Sequence, residues 1–305
     1  MHGMSAGALF AIATAIWGST WLAIKFQLGT VDPAASVAYR FALAAVMLGA
    51  WCVATRRSLA LPRRAHGWFL VQGATFFGLN YIGVYLAERH VASGLVAVVF
   101  STIVFMTPLG TRIAFGVPIR AATLVGAVLG VAGVALLFVK ELRAASHGGE
   151  AALGIGYAFG ATAIAAVGNL ASMRIQREGW PLLSSTAWGM GYGAAVSAVV
   201  ATIAGVHWSF DPRAAYVLAL VYLAALGSVV AFAAYLALLR KAGAATASFV
   251  GVSTPVVAML LSTLFEGYRW TWVALAGVAL AVAGNVIALR TRSGRPLPGP
   301  RPTTR

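Results

Sequence analysis

Apolar and polar positions fall into long blocks along the chain. Ten apolar runs lie near residues 4–28, 34–55, 67–88, 92–114, 119–139, 151–173, 182–205, 214–239, 244–265 and 270–290, separated by short links that hold most of the charge, Pro and Gly. Each run has 21–26 residues, and a helix needs about 20 to cross the hydrocarbon core of a bilayer, with some tilt if longer. The links are too short for a soluble domain, so neighbouring helices must run antiparallel. The pattern predicts an all-α integral membrane protein of ten transmembrane helices. Residues 291–305 (TRSGRPLPGPRPTTR) break it, and their Pro-rich, basic composition predicts a disordered cytoplasmic tail.

Composition and charge sharpen this reading. The chain is 60% apolar and only 10% charged, where soluble domains carry about 25% charged residues. The net charge of +15 invites a nucleic-acid reading, but the cations are scattered through links and tail and form no basic face. Links on the N-terminal side and the tail hold fifteen cations and one acid, Glu178; links on the other side hold five cations and six acids. Cations favour the cytoplasmic side of short loops, so both termini are expected in the cytoplasm of a bacterial inner membrane. The first run is of full spanning length, which argues against a cleavable signal peptide.

Metal and enzyme chemistry find no support. Cys52 is the single cysteine, the histidines (His2, His66, His90, His147 and His207) are scattered on links, and neither DxxD nor HExxH occurs. A membrane-embedded enzyme would need such clusters, so no metal, cofactor or catalytic residue is expected. A photoreceptor with Lys25 as a Schiff base fits neither ten spans nor the internal duplication.

That duplication has a period of about 150 residues. AIWGSTW at 15–21 aligns with AAVGNLA at 165–171, matching Gly18 to Gly168 and Ser19 to Asn169. Gly126 and Gly133 recur as Gly277 and Gly284, and Thr107-Pro108 recurs as Thr254-Pro255. Five helices per half turn the second half upside down. The expected domains are a first five-helix repeat at 1–145 and an inverted second at 146–290. Inverted repeats place a binding site at the midplane between the halves and permit alternating access. Pro108 and Pro255, each lacking a backbone donor, are expected to kink their helices and act as gating or hinge positions. The glycines of the fifth and tenth runs are expected to serve close helix packing, in a monomer or a homodimer.

Four stretches carry a family resemblance. IWGSTWLAIKF at 16–26 with DPAASVAYRF at 32–41, LNYIGVYLAERHVASGLVAVVF at 79–100, and TPVVAMLLSTLFEGYRWTWVALAGVALAVAG at 254–284 resemble drug/metabolite transporters of the EamA type, in the right order over nearly the whole chain. The resemblance implies ten helices in inverted repeats and export of metabolites. Within the family the chain looks most like YddG-type exporters of aromatic and other amino acids. It departs at Gly116, where many members carry an acid.

A midplane site for an amino acid needs polar groups for the ammonium and carboxylate, and aromatic walls. Helical spacing offers Trp17 with Thr20 and Trp21; Asn80 beside the stripe Phe77, Tyr81, Tyr85; Phe100 in the fourth run; Asn169 as a lone amide; Trp188 and Tyr192 with Ser184; and Tyr235 with Phe232 and Ser228. The two asparagines serve equally as links between helices. Lys25 and Arg40 are the two cations within spans. Each is either a contact for an anionic group such as a carboxylate, a side chain snorkelling to the interface, or a structural contact. All seven acids sit at span ends or in links, which favours facilitative transport, or coupling through Glu88 or Glu266, and disfavours cationic cargo. The expected partners are the lipid bilayer and a zwitterionic solute such as an amino acid. Another neutral solute (nucleobase, sugar conjugate or drug) is the alternative.

Overall fold

A computed structural model describes residues 4–144 and 149–290. The expected tail at 291–305 and the expected division at 145–146 lie outside them. The described residues form helices joined by short links. Eight are long and apolar enough to cross a membrane: α1 (Ala6–Lys25), α2 (Pro33–Ala54), α3 (Arg63–His90), α4 (Ser93–Phe115), α6 (Glu150–Arg177), α7 (Leu182–Ile203), α8 (Ala214–Gly243) and α9 (Thr246–Phe265). Two further helices, α5 (Ala121–Ala144) and α10 (Trp272–Arg290), lie where spans are expected but hold shorter apolar stretches, Ala121–Leu137 and Trp272–Ala288.

Local chemistry sets the ends. The Ser5 hydroxyl accepts from the Ala8 amide at 3.1 Å, and the Asp32 carboxylate accepts from the Ala34 amide at 2.8 Å with Pro33 beginning α2. Both caps satisfy amides that a helix start leaves open. The link from α8 to α9 turns at Gly243 with φ +80° and ψ 170°, a conformation that a side chain strongly disfavours.

Packing joins elements of the two sequence halves. α2 lies along α7, α5 along α10, and α1 against α8 and α9, while α6 lies against α3 and α4. At the α5–α10 crossing, a β-carbon on Gly126 would stand 2.5 Å from the Gly284 carbonyl oxygen, and one on Gly133 would stand 2.5 Å from that of Gly277. The glycines that match in sequence thus meet crosswise, and only hydrogen side chains permit so close a backbone approach.

Two features break helical regularity where the sequence gives no sign of it. α3 widens into a π-helical stretch at Gly73–Leu79, and α8 does so at Tyr222–Val230. Such stretches often mark functional sites. α4 is interrupted at Thr102, between Ser93–Ser101 and Ile103–Phe115, just ahead of Pro108. α9 passes through Pro255 without leaving helical geometry, and the segment Ile103–Phe115 likewise runs through Pro108, six residues past the interruption.

Candidate functional site

The main buried cluster draws on α2, α3, α4, α7, α8 and α9, including Phe41, Phe77, Tyr85, Leu95, Val99, Met190, Leu223 and Met259. Trp21, Tyr81, Phe100 and Phe232 pack against it, while Trp17 and Tyr235 pack against a second cluster that includes Leu9, Ala13, Leu238 and Val250. The Trp21 and Phe100 rings lie 5.4 Å apart, and the Tyr81 and Phe41 rings 4.9 Å apart. The Trp17 ring contacts those of Phe232 and Tyr235, each at 5.3 Å, and its indole N–H donates to the Gly227 carbonyl at 3.1 Å. That carbonyl belongs to the π-helical stretch of α8. The same stretch brings the Tyr222 hydroxyl 2.6 Å from Ser19 Oγ. Ser19 and Tyr222 were not singled out by spacing, because a local widening of the helix sets their meeting.

Other candidates fall elsewhere. Trp188 is 38% exposed, and its N–H donates to the Leu59 carbonyl in the α2–α3 link at 2.9 Å. The Tyr192 hydroxyl lies 2.8 Å from His66 Nδ1. These two build a surface aromatic cluster with His66, apart from Trp17 and Tyr81. Asn169 donates to Thr107 Oγ1 at 3.2 Å, linking α6 to α4. Asn80 donates to the Phe76 carbonyl one turn back, leaving its buried Oδ1 without a protein partner.

The two in-span cations have different fates. Lys25 Nζ donates to the carbonyls of Glu88 (2.5 Å) and Val91 (2.8 Å) and stands 3.4 Å from Glu266 Oε1. It therefore holds the end of α1 to the α3–α4 link and to the end of α9. Glu266 also accepts from the Ser93 amide, from the Ser93 hydroxyl and from the Ser262 hydroxyl, while Ser262 Oγ accepts from the Gly94 amide at 2.8 Å. Burial works against the charge on Glu266. The bonds from Ser262 and Ser93 and the Lys25 ammonium outweigh it and hold its carboxyl below the usual carboxylate range.

Arg40 does not snorkel. It is 2% exposed, with its guanidinium 4.4 Å from the centre of the Tyr81 ring and 5.0 Å from that of Phe41. Its Nε and Nη1 have no hydrogen-bond partner in the protein. The Tyr85 hydroxyl stands beside it and donates to Gln27 Oε1 at 2.6 Å. Glu88, one turn beyond Tyr85 on α3, is 1% exposed and neither carboxylate oxygen has a protein partner. Position in the sequence marks Glu88 as a span-end acid, and only the packing shows it buried.

The model of the EamA-like transporter family matches residues 5–139 and again residues 152–290. The chain is 29% identical over 283 residues to a protein of Escherichia coli K12 described as the uncharacterized inner membrane transporter YedA, covering 90% of this chain and 88% of that one. It is 22% identical over 300 residues to protein PagO of Salmonella typhimurium, covering 96% and 95%. A crystal structure of a protein superposes with a TM-score of 0.67 at 22% identity, covering 95% of this chain and 99% of that one, which shows the shared fold.

Proposed function

The chain belongs to the EamA-like transporter family, and from that premise we propose that it exports small zwitterionic metabolites, amino acids including aromatic ones, across a bacterial inner membrane. In this reading all ten helices span, as two inverted five-helix repeats, with both termini cytoplasmic and the Lys25–Glu266 end facing outward. Supporting the repeat are the two separate family matches, the crosswise glycine contacts of α5 and α10, and the π-helical stretches in the third helix of each half. The location agrees with the name of the relative YedA and with the apolar helices.

The observation that carries the cargo class is the joint presence of aromatic rings that meet between the halves and of a buried guanidinium, Arg40, among them. Trp17, Trp21, Tyr81, Phe100, Phe232 and Tyr235 supply apolar walls, and Arg40 lies on the Tyr81 ring. In this reading alternating access works through the contacts of α4 with the second half. A β-carbon on Gly94, at its Lys25–Glu266 end, would stand 2.8 Å from Met259 Cα on α9. At the opposite end α4 packs against α6, where a β-carbon on Gly110 would meet Leu170 at 2.9 Å. α4 of the first half therefore fits closely against the second half near both of its ends, and in this reading access alternates as one of the two contacts parts at a time.

Uptake of labelled amino acids into proteoliposomes tests the reading. Wild type is expected to carry phenylalanine or tryptophan. Tyr81→Ala removes an aromatic contact and the cation–π partner of Arg40, together about 1–2 kcal/mol, and is expected to weaken apparent affinity about tenfold. Trp17→Ala is expected to lose at least as much. Carriage of no amino acid by the wild type would end the proposal.

A further inference from the structure

We propose that Arg40 and Glu88 form a split pair that recognises the head group of a zwitterionic α-amino acid, Arg40 taking the carboxylate and Glu88 the ammonium. This deepens the cargo reading above and rests on it. Four ionisable groups belong to this region: Lys25, which contacts Glu266 and the Glu88 carbonyl, and Arg40, which lies on the Tyr81 ring of the helix that carries Glu88. Lys25 and Glu266 are engaged with each other, with backbone carbonyls and with serines. Arg40 and Glu88 are left as a guanidinium and a carboxyl group, of opposite sign when both are ionised. Arg40 rests on the Tyr81 ring of α3, Glu88 lies two turns further along the same helix, and the two make no ion pair within 4.0 Å.

Both groups are almost fully enclosed, and both keep unused bonding capacity: Nε and Nη1 on Arg40, both oxygens on Glu88. A buried charge without hydrogen bonds is costly and is ordinarily paired or bonded. A guanidinium and a carboxyl group enclosed against the same helix, each with bonding capacity to spare, complement a molecule that carries one charge of each sign. The Tyr81 face beneath Arg40 fixes the guanidinium plane. The Gln27–Tyr85 bond fixes the hydroxyl beside it, and Gln27 Nε2 remains as a further unpartnered donor. A simple proton-carrying role for Glu88 explains less, since it leaves Arg40 without a counterpart. Access to the pair is tied to the end closure: Lys25 binds the backbone carbonyl of Glu88 itself, so parting the Lys25 contacts exposes the last turn of α3.

The test uses the purified full-length chain in proteoliposomes, with inhibition of labelled phenylalanine counterflow by three compounds. Phenylalanine is compared with 2-phenylethylamine, which lacks the carboxylate, and 3-phenylpropionate, which lacks the ammonium. Wild type is expected to prefer phenylalanine over either analogue by at least thirtyfold. In Arg40→Gln, phenylalanine should weaken about thirtyfold while 2-phenylethylamine stays within threefold of its wild-type value. In Glu88→Gln, phenylalanine should weaken similarly while 3-phenylpropionate is spared. A spared analogue shows that the variant is folded. Arg40→Lys and Glu88→Asp serve if the neutral variants are not recovered, with the same selective pattern expected at smaller amplitude.

Equal weakening of all three compounds in a variant assigns that residue a structural role and overturns the pair. Loss in Glu88→Gln of only the response to a pH gradient overturns it in favour of proton carriage. Equal inhibition of the wild type by all three compounds overturns it without any variant. If the wild type carries phenylalanine and both variants behave as wild type, the pair alone falls; if it carries no amino acid, the cargo reading falls too.

Discussion

Glu266→Ala is expected to open the Lys25 end of the molecule. The Glu266 carboxylate is the one group there that joins α1, α4 and α9 at once, through Lys25, Ser93 and Ser262. Hydrogen bonds to a charged group contribute about 1.5–3 kcal/mol each. The side chains of Glu266 and Lys25 are 12% and 27% exposed, so solvent screening trims the ion pair itself. A net loss of about 2–3 kcal/mol falls on the closed arrangement, which shifts the balance between closed and open forms on the order of 30–150-fold. The reporter is Leu95→Cys, 2% exposed on the first turns of α4, in a Cys52→Ser background. Its labelling by a membrane-impermeant maleimide should accelerate by that factor when Glu266 is removed. An unchanged rate in a protein of unchanged thermal stability would show that the closure does not depend on this carboxylate.

The same contacts set a pH dependence. The carboxyl of Glu266 is held below the usual carboxylate range when its partners are in place. A group whose pKa is lowered in one state stabilises that state above its ordinary pKa and loses the effect as pH falls through the lowered value. Labelling of the Leu95→Cys reporter, divided at each pH by the rate for a free thiol so that the falling thiolate fraction cancels, should therefore be flat from about pH 8 to 5.5 and rise only in more acidic solution, below the ordinary carboxylate pKa of about 4.3. With Glu266→Ala the acid rise should vanish.

The sequence made the helices legible, because a bilayer imposes its thickness on every run. The second run, expected at 34–55, is found at Pro33–Ala54, and the fourth, expected at 92–114, at Ser93–Phe115. The third begins at Arg63 instead of 67 because Arg63, Arg64 and His66 read as a polar link yet form the first helical turns. The faces of the helices were not legible. In a membrane both the lipid side and the protein side are apolar, so periodicity cannot tell Trp17, packed on Phe232 and Tyr235, from the half-exposed Trp188. The burial of Arg40 and Glu88 depends on α2 and α3 meeting, and the π-helical stretches carry no composition signal. Lys25 and Arg40 look equivalent as lone cations near span ends. Packing separates them, giving one a set of carbonyls and a carboxylate and the other an aromatic bed.

Gly73→Val is expected to produce the largest loss of stability of any single change at a crossing. Gly73 opens the π-helical stretch of α3, where that helix passes across α7. A β-carbon there would stand 2.4 Å from the Gly189 carbonyl oxygen, 2.7 Å from Tyr192 Cβ and 2.9 Å from the Gly193 amide nitrogen. Two of these are backbone atoms of a helix that is itself glycine-thinned at the contact, so no rotamer change relieves the clash. Either the helices part, exposing Phe77 and Met190, or the stretch rewinds. Overpacking in a tight core costs about 1–3 kcal/mol, and a branched side chain against backbone belongs at or above the top of that range. A fall in Tm on the order of 10 °C follows, read by thermal unfolding in detergent. Gly156→Ala is the matched control, since a β-carbon at Gly156 on α6 meets nothing within 4 Å. That change removes a flexible residue from a helix interior and should leave stability unchanged or raise it by up to about 1 kcal/mol. Equal stability of Gly73→Val and Gly156→Ala would mean that α3 and α7 do not cross as closely as described, and that the π-helical stretch is not pinned by the α7 glycines.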